Sequence, residues 1–351
     1  MNVSSVLYSG YQALMEYVVA HTITCLVPAF FIAGAIAAFV SKDAILRYFG
    51  PKANKFLAYS VASISGAILA VCSCTVLPLF AGIHRKGAGL GPAIAFLYSG
   101  PAINVLAVVY TARLLGFDIG LARAIGAVGF AAVIGLIMAL VFRKEEKEKE
   151  ATAEVPLFAA NGDGKTSDWH RLAFLVLLVA ILLTGTARVG NLIKWSGVSI
   201  EVLAVLYACK YWFPKEEVRL WLTETWKLVK LIVPVLLIGV FLAGMIKEIL
   251  PPAWVSRFVG GNTLSGNFIA SFSGTLMYFA TLTEVPIIKA LMELGMGRGP
   301  VLALLLAGPA LSLPSMLAIG RIVGVKKTAV YVLLVVVFAT ATGLIFGALG
   351  L

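Results

Sequence analysis

The chain has 351 residues, 60% of them hydrophobic and 13% charged, with a mean hydropathy of +0.98. Soluble domains carry about 25% charged residues, so an ordinary soluble protein is excluded and the composition describes an all-α polytopic integral membrane protein. The net charge of +11 invites a nucleic-acid partner, but Lys and Arg cluster between apolar runs as positive-inside loops do, which sets nucleic acid aside.

Residues 1–16 hold no Lys or Arg and so lack the basic start of a signal peptide. Apolar runs of membrane-spanning length lie near 17–40, 57–83, 90–112, 120–142, 172–187, 198–213, 229–250, 264–288, 299–320 and 328–350. With the short fifth and sixth runs in doubt as full spans, about 8–10 transmembrane segments are expected. The stretch 143–171 mixes both charges with Gly and Asp and reads as a solvated cytoplasmic loop. It separates a first transmembrane repeat (1–142) from a linking hairpin (172–226) and a second repeat (227–351).

Two stretches, 72–104 and 280–314, break helix rules with repeated Pro and Gly. Sliding 75–102 onto 283–310, an offset of 208 without a gap, gives 11 identities in 28. Seven of these are Gly or Pro: Pro78, Gly87, Gly89, Gly91, Pro92, Gly100 and Pro101, with partners from Pro286 to Pro309. What repeats is therefore backbone shape. Paired Gly/Pro-interrupted apolar segments point to a transporter's binding site, since broken backbone persists in a bilayer only inside protein or along a wet cavity. If each broken pair (57–112 and 264–320) crosses once overall, the cytoplasmic segments hold 18 Lys and Arg against 6 outside. That satisfies the positive-inside rule and makes the repeats inverted in topology, with re-entrant Gly-Pro helices.

Cys72 and Cys74 open the first broken stretch. On a regular helix such neighbours point about 200° apart, whereas backbone unwound near Pro78 lets both thiols meet one soft partner. The alternative is simple packing, which also suits Cys25 and Cys209. The second repeat has Ala280 and Leu282 at these positions and offers Glu284 instead, opposite Val76. A carboxyl inside the membrane suits a proton carrier; the alternative is an ion pair with Lys289 or Arg298. Asn104 and Ser312 are equivalent and either cap freed backbone or touch substrate, while Thr75 and Thr283 either do likewise or bond back to helix carbonyls. Tyr98 and Ser99 add polar groups beside Gly100-Pro101. The candidate substrate-binding residues are thus Cys72, Cys74, Thr75, Pro78, Ser99, Asn104, Thr283 and Ser312, with Glu284 for proton coupling.

His21, His84 and His170 form no metal-ligand spacing with the cysteines, and no metal or cofactor is expected. No Walker A, GxSxG, HExxH or Rossmann motif occurs. The chain is therefore expected to be no enzyme and to draw on an ion gradient for uphill movement. The expected partners are the lipid bilayer and a small-molecule substrate, with a proton gradient as driving force.

The segments AVCSCTVLPLFAGI (70–83), KGAGLGPAIAFLYSGPAINV (86–105) and TEVPIIKALMELGMGRGPVLALLLAGPALSLPSM (283–316) resemble the ArsP-type permeases. With the spans around them the likeness covers nearly the whole chain. It implies a multi-pass permease of the cytoplasmic (cell inner) membrane and efflux of trivalent organoarsenicals, in which a paired-cysteine motif is implicated. Carried over, that role falls on Cys72 and Cys74 alone. A sulfur compound or soft metal ion is the alternative cargo; an intramembrane thiol oxidoreductase and a passive channel are the other readings.

Overall fold

The computed structural model describes residues 3–19, 26–39, 54–69, 73–85, 87–146, 167–186, 191–249, 258–277 and 284–349. Among them the chain is all-α. In order the helices are α1 (Val3–Tyr17), α2 (Val27–Phe39), α3 (Lys55–Leu69), α4 (Ser73–Arg85), α5 (Leu90–Ala102), α6 (Val105–Leu114) and α7 (Phe117–Val141). There follow α8 (Asp168–Thr186), α9 (Asn191–Tyr211), α10 (Lys215–Ile249), α11 (Leu264–Leu276), α12 (Glu284–Glu293), α13 (Arg298–Ala307), α14 (Leu313–Val323) and α15 (Val325–Ala348). A bilayer offers no water to an exposed N–H or C=O, so an apolar chain satisfies its backbone within helices.

Phe117–Val141, Lys215–Leu242 and Val325–Ala348 are each long and apolar enough to span alone. The helices α5 and α6, bent by 45° from one another, are long and apolar enough only when taken together. The bend follows Gly100-Pro101: Pro101 has no N–H for the Leu97 carbonyl, and α5 ends one residue later. Two runs of spanning length are pairs of shorter helices: 90–112 is α5 with α6, and 299–320 is α13 with α14. Hydropathy averages along a run and is blind to a change of direction.

Two further expectations differ. Pro78 lies inside a continuous α4 rather than in unwound backbone. One lost i→i−4 bond is tolerable where α2, α5 and α14 enclose the helix. The charged stretch between the apolar runs 198–213 and 229–250 is not a break between spans but largely the N-terminal part of α10, which runs unbroken for 35 residues. Trp221, Leu228, Ile232 and Leu236 bury one stripe of α10 at helical spacing, and that stripe holds the charged portion helical. The α8–α9 hairpin is fastened through aromatic contacts among Phe39, Phe174, Phe213 and Trp221.

The 208-residue offset recurs in the coordinates. The helices α5, α6 and α7 begin at Leu90, Val105 and Phe117, and α13, α14 and α15 begin at Arg298, Leu313 and Val325. The tight turns match as well, with Gly87 and Gly295 at φ 98° and 101°, a region that glycine enters without strain. The helix crossings repeat too. A Cβ on Gly91 of α5 would lie 2.8 Å from the Gly135 carbonyl of α7, and one on Gly299 of α13 would lie 2.6 Å from the Gly343 carbonyl of α15. Small residues allow this close approach of backbones.

Contacts between the halves are reciprocal: α12 packs on α6, and α14 packs on α4. The long helices α7 and α15 pack against each other. At one end Lys327, early in α15, bonds Glu146 just beyond α7 at 2.8 Å, and Lys326 bonds Glu145 at 3.1 Å. At the other end Asp118, early in α7, pairs with Arg298, which lies 5.9 Å from the Phe346 ring near the end of α15. The turn before α13 joins this second end, with Gly297 N donating to Val259 O at 3.0 Å and Gly260 bridged to Met296.

Candidate functional site

Helices α6 and α7 form a tight hairpin around Gly116, whose φ is 127°. Seven residues beyond that turn, Arg123 points into the protein and is fully buried. A guanidinium inside a membrane span calls for a partner, and it finds two. Its Nη1 donates to Thr111 Oγ1 at 2.9 Å, and that hydroxyl donates in turn to the Ala107 carbonyl at 2.7 Å. Its Nη2 lies 3.6 Å from Glu284 Oε2.

Glu284 is the first residue of α12 and is 1% exposed. Its position at a helix N-terminus favours a negative charge. Gly308, where the backbone turns after α13, borders the carboxylate: a Cβ there would lie 2.8 Å from Glu284 Oε1. Three structural features therefore converge on this carboxyl group: the start of α12, the Gly-Pro break after α13, and the α6–α7 hairpin of the other half. The pair is incompletely satisfied. Among the described residues Arg123 Nε and Nη2 and both carboxylate oxygens of Glu284 find no hydrogen-bond partner. A buried charge pair needs its remaining lone pairs and protons satisfied to offset desolvation, so this geometry has capacity for another polar group.

The surroundings are asymmetric. At the 208-residue offset Arg123 corresponds to Tyr331, Glu284 to Val76 and Thr111 to Ile319. Tyr331 is fully buried and its hydroxyl has no hydrogen-bond partner among the described residues. Between the two sits Tyr98 of α5, whose hydroxyl donates to the Leu306 carbonyl of α13 at 3.1 Å. Tyr98 and Leu306 are themselves equivalent positions, so this bond joins the two halves at their centre.

The other sequence candidates fall into four groups. Cys72 and Thr283 lie outside the described residues, as do His21 and Cys25; Cys74 is in the first turn of α4. Ser312 caps α14: its Oγ accepts from Ser315 N at 3.3 Å and lies 2.8 Å from Ser315 Oγ. Asn104 does the same for α6, with Oδ1 accepting from Ala107 N at 3.5 Å. Ser99 pins α5 to α3, its hydroxyl between the carbonyls of Ala62 (3.0 Å) and Phe96 (3.1 Å). Thr75 and Pro78 are buried within α4. The proposed partners of Glu284 are corrected: Lys289 is exposed, and Arg298 belongs to Asp118 at one end of the molecule. Arg123, Thr111 and Tyr331 are the residues that sequence reasoning missed. The signal for Arg123 was a charge three residues into an apolar run, assigned instead to the neighbouring loop.

This architecture is shared with other proteins. The chain matches the family described as predicted permease, ArsP_1, over residues 8–348. It is 45% identical to the UPF0718 protein MJ0584 of Methanocaldococcus jannaschii, over 99% of this chain and 96% of that one. It is 25% identical to the UPF0718 protein YraQ of Escherichia coli, over 82% of this chain and 66% of that one. No solved structure matches it. A membrane protein of permease type is thus what fold and kinship agree on, and the chain belongs to the ArsP_1 family of predicted permeases.

Proposed function

We propose that the protein is a proton-coupled secondary transporter of the cytoplasmic membrane that exports a small thiophilic solute, trivalent organoarsenicals being the leading class. The observation that carries this reading is the buried Arg123–Glu284 pair where the start of α12, the Gly-Pro break after α13 and the α6–α7 hairpin meet. Ionisable groups are expensive inside a membrane and mark ion or substrate pathways.

The repeats are read as inverted. The start of α5 lies beside the C-terminal half of α7, and the start of α13 lies beside the C-terminal half of α15. Since α15 begins where α7 ends, the two re-entrant tips belong to opposite sides of the membrane. Rocking of such repeats about a central site is the usual route to alternating access. Glu284 exchanges protons with the gradient. Cys72 and Cys74 capture the solute, Cys74 lying two residues before Val76, the counterpart of Glu284. Soft thiolate ligands select this class of cargo.

The test is binding of trivalent phenylarsenite to the purified protein, alongside Cys72→Ser and Cys74→Ser variants. Saturable binding lost in either variant supports capture by both thiols. Equal binding in all three proteins removes the thiophilic reading.

A further inference from the structure

Among the described residues Arg123 Nε and Nη2 have no hydrogen-bond acceptor and the two carboxylate oxygens of Glu284 have no donor, all inside a buried site. Thr111 takes one guanidinium N–H and fixes the plane of the group. An unpaired edge of a planar guanidinium matches two oxygens of an oxyanion. With Glu284 ionised, however, an anion beside it would leave a net negative charge in a low-dielectric interior, which is strongly disfavoured. With Glu284 protonated, the site is neutral again.

We propose that Arg123 and Glu284 form a proton-coupled oxyanion site, taking one monovalent oxyanion on the guanidinium together with one proton on the carboxyl. The inference rests on the reading that this pair couples transport to protons, and it adds a monovalent oxyanion that binds there with the coupling proton, apart from the thiols that take the cargo. The balance is simple. The empty site holds the Arg123–Glu284 ion pair. The loaded site holds the Arg123–oxyanion pair and a neutral carboxylic acid. Both states have zero net charge. The proton comes from the bulk or from the oxyacid itself, and it leaves with the anion.

The groups able to disturb this exchange are few among the described residues. Tyr98 of α5 lies within electrostatic reach of Arg123, and Tyr331 of α15 within reach of Tyr98. Helix α6 brings Arg113 and Tyr110, both on its exposed side, and α13 brings Arg298, already paired with Asp118. Lys289 and Glu293 of α12 are exposed. No second carboxylate approaches Arg123 among these groups, so Glu284 alone decides whether the guanidinium is free. The unpartnered hydroxyl of Tyr331 is a further donor near the same centre.

The experiment is titration calorimetry of the full chain in lipid nanodiscs with methanesulfonate and nitrate, which stay monovalent throughout the working pH range, in buffers of differing ionisation enthalpy. The expected result is uptake of one proton per anion and an affinity that rises about tenfold for each unit fall in pH, up to full protonation of the carboxyl. Glu284→Gln should bind with no proton uptake and no pH dependence. Arg123→Lys should bind more weakly, and Arg123→Gln/Glu284→Gln, which buries no unpaired charge, should not bind. Wild-type binding without proton uptake, no wild-type binding, or equal binding by the double variant would overturn the proposal. A parallel flux assay separates the two readings. Proton-linked binding without movement in liposomes would fail the transporter while the site stands; arsenical export indifferent to these anions would fail the site while the transporter stands.

Discussion

Arg123 and Glu284 stand 161 positions apart in the chain, and no local spacing connects them. Glu284 was legible as a charge in an apolar stretch. Arg123 was not, because it lies where an apolar run and a basic segment adjoin in the sequence and only the fold turns it inward. Removing one member leaves the other buried and alone, which costs about 3–5 kcal/mol. Arg123→Gln is therefore expected to lower the thermal midpoint in detergent markedly, and Arg123→Gln/Glu284→Gln to recover most of the loss; equal destabilisation by single and double variants would argue against the pairing. The polar candidates Asn104 and Ser312 were legible as a pair, and their local role follows from geometry, with an acceptor three residues before a free N–H in each repeat. Ser312→Ala should destabilise by about 1 kcal/mol in an unfolding experiment. A loss of solute affinity without that destabilisation would show that the hydroxyl serves the cargo rather than the helix.

At the scale of elements, glycine and proline carried the repeat, because they mark backbone conformations rather than side-chain contacts. Gly87 and Gly295 have φ angles within a few degrees of each other, and the crossings at Gly91 and Gly299 match as closely. The change of direction was less legible than the break: Gly100-Pro101 marks the end of α5, but hydropathy says nothing of the 45° bend between α5 and α6. The length of α10 was missed for the opposite reason, since its charged N-terminal part looks like a loop until the buried stripe through Trp221 and Leu228 is seen. Equivalence of the crossings predicts that Gly91→Val and Gly299→Val lower stability by similar amounts, about 1–3 kcal/mol each from overpacking. Melting curves of the two variants check this, and a large effect in only one would mean that the crossings are not equivalent.

For the molecule as a whole, ion pairs join the halves at both ends: Asp118–Arg298 at one, Lys326 and Lys327 with Glu145 and Glu146 at the other. The charge count of the loops predicts that the Lys327 end is cytoplasmic. Cysteines introduced as Arg85→Cys and Leu294→Cys beside the two tips should then react with an impermeant maleimide from opposite sides of the membrane, the first from inside. Reaction of both from one side would remove the inversion, and with it the mechanism built on it. The most direct measurement of the central claim is export of trivalent methylarsenite in proteoliposomes carrying an internal pH indicator, comparing the wild type with Glu284→Gln. The account predicts solute movement coupled to an opposite proton flux in the wild type, and loss of both proton flux and gradient-driven export in the variant. Export by Glu284→Gln at the wild-type rate, with or without protons, would contradict it.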